Sequence, residues 1–187
     1  MLGPANQEIL MRARADLRLG IPIVLENKEN AAIIAPIEVL NESRLDQLKV
    51  IDKNSFILIT TRRAQTLKCP IYDENFVRIA LGQFLKIASL KAIADPFLDL
   101  RNPLKGPFKI IRGKTLKLEN EAILLLKSAQ LLPAAIVSKV ENGQNYANEH
   151  KLTYLTTKQI REAALSPGGI ADAISAEIPT ARAKSTQ

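Results

Sequence analysis

The chain of 187 residues has no tryptophan, one cysteine and one histidine, and only 4% of it is aromatic. Its core therefore has to be aliphatic, built from Leu, Ile, Val and Ala. Cys69 alone forms no internal disulfide, and Cys69 with His150 is too small a set for a zinc site of the Cys/His kind. No apolar run approaches the roughly 18 residues needed to span a bilayer. Met1 to Arg14 lacks the basic region, apolar region and cleavage site of a secretory signal. These absences lead to the expectation of a cytoplasmic protein. A Ser-His or Cys-His nucleophile is also out of reach. His150 lies in Asn148-Glu149-His150-Lys151, a polar stretch that reads as a solvated helix end, where a positive imidazole suits the helix dipole.

What is present is an apolar fraction of 47%, enough for one globular domain with a sizeable core, and a net charge of +7. The charge is unevenly placed. Residues 101–140 hold eight Lys/Arg against two acids, Glu119 and Glu121, so this segment alone carries +6. A concentrated basic stretch suits an anionic partner, such as a phosphorylated small molecule, or is simply a solvated face. Within it, Arg112, Lys114 and Lys117 precede a predicted helix N-terminus and are the candidate anion ligands. Nucleic acid is the weakest partner, because no aromatic residues interleave the basic ones to stack bases.

Periodicity and turn residues predict alternating elements. Helices are expected over 7–18, from a cap at Asn41 to Ile51, over 61–67, 83–94, 120–131 and 144–150, and finally over 156–164. Strands are expected over 21–25, 31–35, 56–60, 76–81, 108–111, 134–140 and 153–155. Residues 95–107 carry three prolines and read as irregular. The class is α/β (α+β), a mixed sheet covered by helices, in one domain over 1–165. Ser166-Pro167-Gly168-Gly169 breaks the pattern, and 166–187 reads as a flexible linker or tail. Gly168-Gly169 is no phosphate loop, since no Lys-Ser/Thr follows at P-loop spacing.

Three stretches carry a resemblance. Leu118-Glu119-Asn120-Glu121-Ala122 leads through an apolar run to Leu132-Pro133-Ala134-Ala135-Ile136-Val137-Ser138-Lys139. Asp16-Leu17-Arg18-Leu19-Gly20-Ile21-Pro22 opens the first strand, and Ala92-Ile93-Ala94-Asp95-Pro96 ends a helix. In this order they resemble 3,4-dihydroxy-2-butanone 4-phosphate synthase, which makes the four-carbon unit of riboflavin from ribulose 5-phosphate. That family writes Gly-His-Thr-Glu-Ala, a helix, Pro-Ala-Gly and a strand ending in Cys-Glu. Glu119 stands where it has its histidine, and Lys139 where it has the strand-end glutamate. Its acidic loop, Arg-Glu-Asn/Asp-Glu-Gly-Asp, holds magnesium. Here that loop is Lys28-Glu29-Asn30-Ala31-Ala32-Ile33, with only Glu29 left. Glu29 and Glu119 could approach each other and take a cation, but Lys139 would repel it. Two ordinary exposed glutamates, no metal and no cofactor are therefore expected.

A second resemblance is closer. Thr61-Arg62-Arg63-Ala64, the run from Asp95 to Phe108, and Leu131-Leu132-Pro133-Ala134-Ala135 resemble an extra N-terminal domain carried by some bacterial GTP cyclohydrolase II proteins. The resemblance implies a non-catalytic accessory or relic domain of riboflavin biosynthesis. It further implies a homodimer, and a cyclohydrolase II domain either as partner or as the part lost. Two alternatives stay open: a residual enzyme acting on ribulose 5-phosphate, and an anion- or partner-binding module using 101–140.

Overall fold

The computed structural model describes residues 3–103 and 105–165. The expected linker or tail over 166–187 lies outside the described residues.

The chain opens with helix α1 (Asn6–Arg18), whose Leu10, Ala13 and Leu17 fall on one face and are buried. It stops at Gly20, which takes φ +72, a conformation that glycine adopts without a side-chain clash. Gly20 N–H donates to the Leu17 carbonyl at 2.9 Å and Ile21 N–H to the Asp16 carbonyl at 2.8 Å, closing the helix end. A hairpin of β1 (Ile23–Glu26) and β2 (Ala31–Pro36) follows. Helix α2 (Glu42–Ile51) starts where Asn41 Oδ1 accepts from Arg44 N–H at 2.9 Å. The middle of the chain supplies β3 (Phe56–Thr60), α3 (Thr61–Thr66), β4 (Phe76–Ala80), α4 (Ile87–Ala94) and a short 3-10 turn at Pro96–Leu98. The last part supplies α5 (Glu119–Ser128), β5 (Ala134–Val140), α6 (Gly143–His150), β6 (Tyr154–Thr156) and α7 (Thr157–Leu165).

The six strands form one sheet in the order β4-β3-β5-β2-β1-β6. Every neighbouring pair is antiparallel except β1 with β6. This is the expected mixed sheet. Because side chains alternate across a strand, two cores form. Val24, Ile33, Ile57, Ile59, Val77, Ile79 and Ile136 face the layer that holds α2, α3, α4 and α6. Leu25, Ile34, Phe56, Leu58, Ala135 and Val137 face α1, α5 and α7. Strands buried on both faces explain the continuous apolar runs in β2, β3 and β5.

Two expectations are corrected. Residues 108–111 form no strand but a single bridge, Ile110 with Ile79, flanked by Ala80 N–H to the Lys109 carbonyl and Ile111 N–H to the Arg78 carbonyl. Pro107 has no N–H to extend the ladder on one side, and Gly113 turns away at φ +93 on the other. The helix expected from residue 83 starts at Ile87, because Leu85 N–H closes a turn onto Gly82 and Lys86 is extended.

Candidate functional site

One end of the sheet gathers the start of β3, the end of β4 and the end of β5. There an open cleft of about 1140 Å³ is lined by Asp52, Lys53, Phe56, Arg78, Lys109 and Lys139, with Leu116 and Tyr146 among its apolar walls. The pleat explains the grouping. Phe56 pairs with Ala80 and Val137, and Leu58 with Arg78, so Phe56, Arg78 and Val137 share the face that Lys139 continues on β5.

Glu119, at the first position of α5, lies just behind this cleft. It is 1% exposed, which corrects the expectation of an ordinary exposed glutamate. Its Oε1 accepts from Leu116 N–H at 2.9 Å and its Oε2 from Leu118 N–H at 3.0 Å. Arg78 Nη1 stands 3.9 Å from Oε1. Arg78, itself buried, donates Nη1 to the Lys114 carbonyl at 2.9 Å and Nη2 to the Gly113 carbonyl at 2.7 Å. Its guanidinium carbon also sits 5.8 Å from the centroid of the Phe56 ring. The pair thus fastens the 113–118 loop from both sides. A buried arginine needs this compensation, since an unpaired charge there is heavily penalised.

The β1–β2 turn, where the metal loop of the synthase would lie, is fastened to the same loop. Asn27 Nδ2 donates to the Leu116 carbonyl at 2.9 Å, and Asn30 Nδ2 to the same oxygen at 3.2 Å. Asn27 Oδ1 accepts from the N–H groups of Glu29 and Asn30, each at 2.8 Å. Glu29 is exposed and paired with Lys117 Nζ at 2.7 Å, and that hydrogen bond holds its carboxyl below the usual range. Glu29 and Glu119 are therefore tied to separate parts of one loop. Among the described residues no group of three or more His, Cys, Asp or Glu could hold a metal ion.

The remaining candidates fall in different places. Lys139 is exposed on β5, and its backbone N–H donates to Asp52 Oδ2 at 3.0 Å. Arg112 lies 4.2 Å above the Tyr72 ring and donates to the Tyr72 hydroxyl, away from the cleft. Lys114 is exposed and Lys117 is engaged by Glu29, so Arg112, Lys114 and Lys117 do not converge on one point of the cleft. The first turn of α5, on which an anion could have rested, carries the acids Glu119 and Glu121, which oppose one there. His150 ends α6 in an exposed position, its ring 4.3 Å from that of Tyr146. Sequence reasoning missed Arg78, Lys53 and the paired asparagines. For Arg78 a signal existed: a lone charge inside the apolar strand Phe76-Val77-Arg78-Ile79-Ala80 demands a partner.

The architecture defines a single α+β class: a mixed six-stranded sheet between two helical layers, with a basic cleft at one end. Its counterparts among solved structures are 3,4-dihydroxy-2-butanone 4-phosphate synthases, so the chain has the fold of that enzyme. A two-domain synthase from A. baumannii matches with a TM-score of 0.62 at 12% identity, over 84% of this chain and 58% of that one. The synthase of Candida albicans matches with a TM-score of 0.59 at 14% identity, over 82% of this chain and 95% of that one. A synthase solved with two magnesium ions matches with a TM-score of 0.56 at 12% identity, over 84% and 95%. The chain thus spans less than two thirds of the two-domain protein and nearly all of the other two. No protein-family model and no curated protein sequence matches it.

Proposed function

We propose that the chain is a non-catalytic accessory or relic domain of riboflavin biosynthesis, working in the cytoplasm and related to the N-terminal part of GTP cyclohydrolase II. The observation that carries this reading is the state of Glu119. The position that resembles the family's histidine is buried, and both carboxylate oxygens are occupied by backbone N–H groups of the 116–118 loop. A general acid or base has to reach the substrate proton. Glu119 has neither the exposure nor an unengaged oxygen for that task. The turn around Glu29 is spent on fastening the same loop, and Lys139 brings a positive charge to the cleft.

The test is incubation of the purified chain with ribulose 5-phosphate, following formate and the four-carbon phosphate. Neither product is expected. Release of both, abolished by Glu29→Ala, would establish a residual synthase instead. Added GTP cyclohydrolase II should bind the chain or change its turnover in the presence of it. An unchanged cyclohydrolase that elutes apart from the chain would remove the accessory role and leave only the relic.

A further inference from the structure

The strand-end cleft has three lysines whose charge the protein leaves uncommitted. Lys53 comes from the turn after α2, Lys109 from the segment beside β4, and Lys139 from β5. All three are exposed, and none forms an ion pair with a described residue. The lining also holds two acids: Asp52, whose Oδ1 accepts from Asn54 N–H at 2.8 Å and whose Oδ2 accepts from Lys139 N–H at 3.0 Å, and the exposed Glu141. Arg78 in the same wall is balanced by Glu119 behind it. Three lysines against two acids leave the cleft positive, and a concave wall concentrates that field.

Between the lysines the lining is apolar: Phe56, Leu81, Ile111, Leu116 and Tyr146. The wall from Lys109 to Leu116 is held before any ligand arrives. Arg78 grips the Gly113 and Lys114 carbonyls, Glu119 grips Leu116 N–H, and Asn27 with Asn30 grips the Leu116 carbonyl. A cleft fixed in advance loses little ordering entropy on binding. Apolar walls with a few polar groups among them are the usual features of a ligand pocket, and the volume is slightly above the usual range for one.

We infer that this cleft binds a phosphate ester with a largely apolar body, its phosphate held by Lys53, Lys109 and Lys139 and its body laid against Phe56, Ile111 and Leu116. Binding needs no divalent cation, because the lysines supply the positive charge. The ligand set differs from Arg112, Lys114 and Lys117, which point elsewhere. The inference rests on the non-catalytic reading only in that the ester is released unchanged.

The experiment uses the full chain with 1-naphthyl phosphate and inorganic phosphate as probes, followed by calorimetric titration with a chelator present. Naphthyl phosphate is expected to bind at least about tenfold more tightly than inorganic phosphate, since only it fills the apolar wall. Lys139→Glu and Lys109→Gln should each weaken it by about tenfold or more, the loss of one charge-assisted contact. Arg112→Ala with Lys114→Ala should leave it unchanged. Both lysines are exposed, so unaltered thermal melts will separate lost binding from lost folding. No binding at millimolar naphthyl phosphate, equal affinity for the two probes, or affinity indifferent to both lysine changes overturns the inference. Turnover of ribulose 5-phosphate would strike the non-catalytic reading alone, since binding of naphthyl phosphate by the lysines is scored separately.

Discussion

Arg63 and Asp99 meet through two parallel hydrogen bonds of 2.7 Å, Nη1 to Oδ2 and Nη2 to Oδ1. Arg63 is buried on α3 and also donates Nε to the Ile93 carbonyl at 2.7 Å and Nη2 to the Ala92 carbonyl at 3.0 Å. It thereby covers carbonyls at the C-terminus of α4, where a cation complements the dipole. Lys105 adds a second ion pair to Asp99. The segments Thr61–Ala64 and Asp95–Phe108, singled out separately in the sequence, are thus two halves of one joint. Their residues hold α3, α4 and the 95–105 loop together, away from the cleft.

Asp99→Ala is expected to destabilise the chain by roughly 2–3 kcal/mol at neutral pH. This is below the 3–5 of a fully enclosed pair because Asp99 keeps 29% exposure. The hydrogen bond from Arg63, foremost, holds the Asp99 carboxyl far below its usual range. A depressed carboxyl stabilises fully above its unfolded pKa of about 3.9 and loses that contribution as the pH falls toward the folded value. The gap between wild type and Asp99→Ala should therefore be constant above about pH 5 and shrink below about pH 4. Denaturant melts across this range that show a gap independent of pH would remove the role given to the pair.

Glu119→Ala is expected to cost about 3 kcal/mol, because it strands the buried Arg78 charge and two loop N–H groups together. Glu119→Gln keeps an acceptor and should cost less, about 1–2 kcal/mol. Urea denaturation decides this. A loss below about 0.5 kcal/mol for the alanine variant, within the range of ordinary surface changes, would mean that the loop does not depend on the carboxylate.

The strands β3 and β5 were legible to the residue. Both open with four consecutive apolar residues after a turn former, Asn54 before β3 and Pro133 before β5. The 108–111 segment reads the same way locally, yet Pro107 and Gly113 limit it to one bridge, and pairing depends on a neighbour that local pattern does not reveal. The site was half legible. Glu29, Glu119 and Lys139 were located as positions, but the burial of Glu119 depends on Arg78, forty-one residues earlier, and no periodicity encodes that. Lys53 and Lys109 enter the cleft through loops, whose course is set by tertiary contacts.

Magnesium or manganese should find no site between Glu29 and Glu119. Such cations need several oxygens in a near-octahedral shell, whereas Glu29 is paired with Lys117 and Glu119 with backbone and Arg78. Calorimetry showing one site of micromolar affinity, lost in Glu29→Ala, would contradict this.

A homodimer held by the α/β domain is the expected state in solution. A groove of about 840 Å³ between α2 and α6 presents Ile21, Pro22, Val50 and Ile51, with Val50 83% exposed. Apolar surface of this kind is unfavourable in water and suits a partner copy. Light scattering should give twice the chain mass, and deletion of 167–187 should leave it unchanged. A monomer, or a dimer lost on that deletion, would defeat the proposal.

The fastening of the 113–118 loop makes positions 78 and 119 interdependent. Any residue at 119 without two carboxylate oxygens removes the acceptors on which Leu116, Leu118 and Arg78 depend. Changes at the two positions should therefore not add: replacing Arg78 together with Glu119 is expected to cost less than the sum of the single losses, because neither buried charge is then left alone.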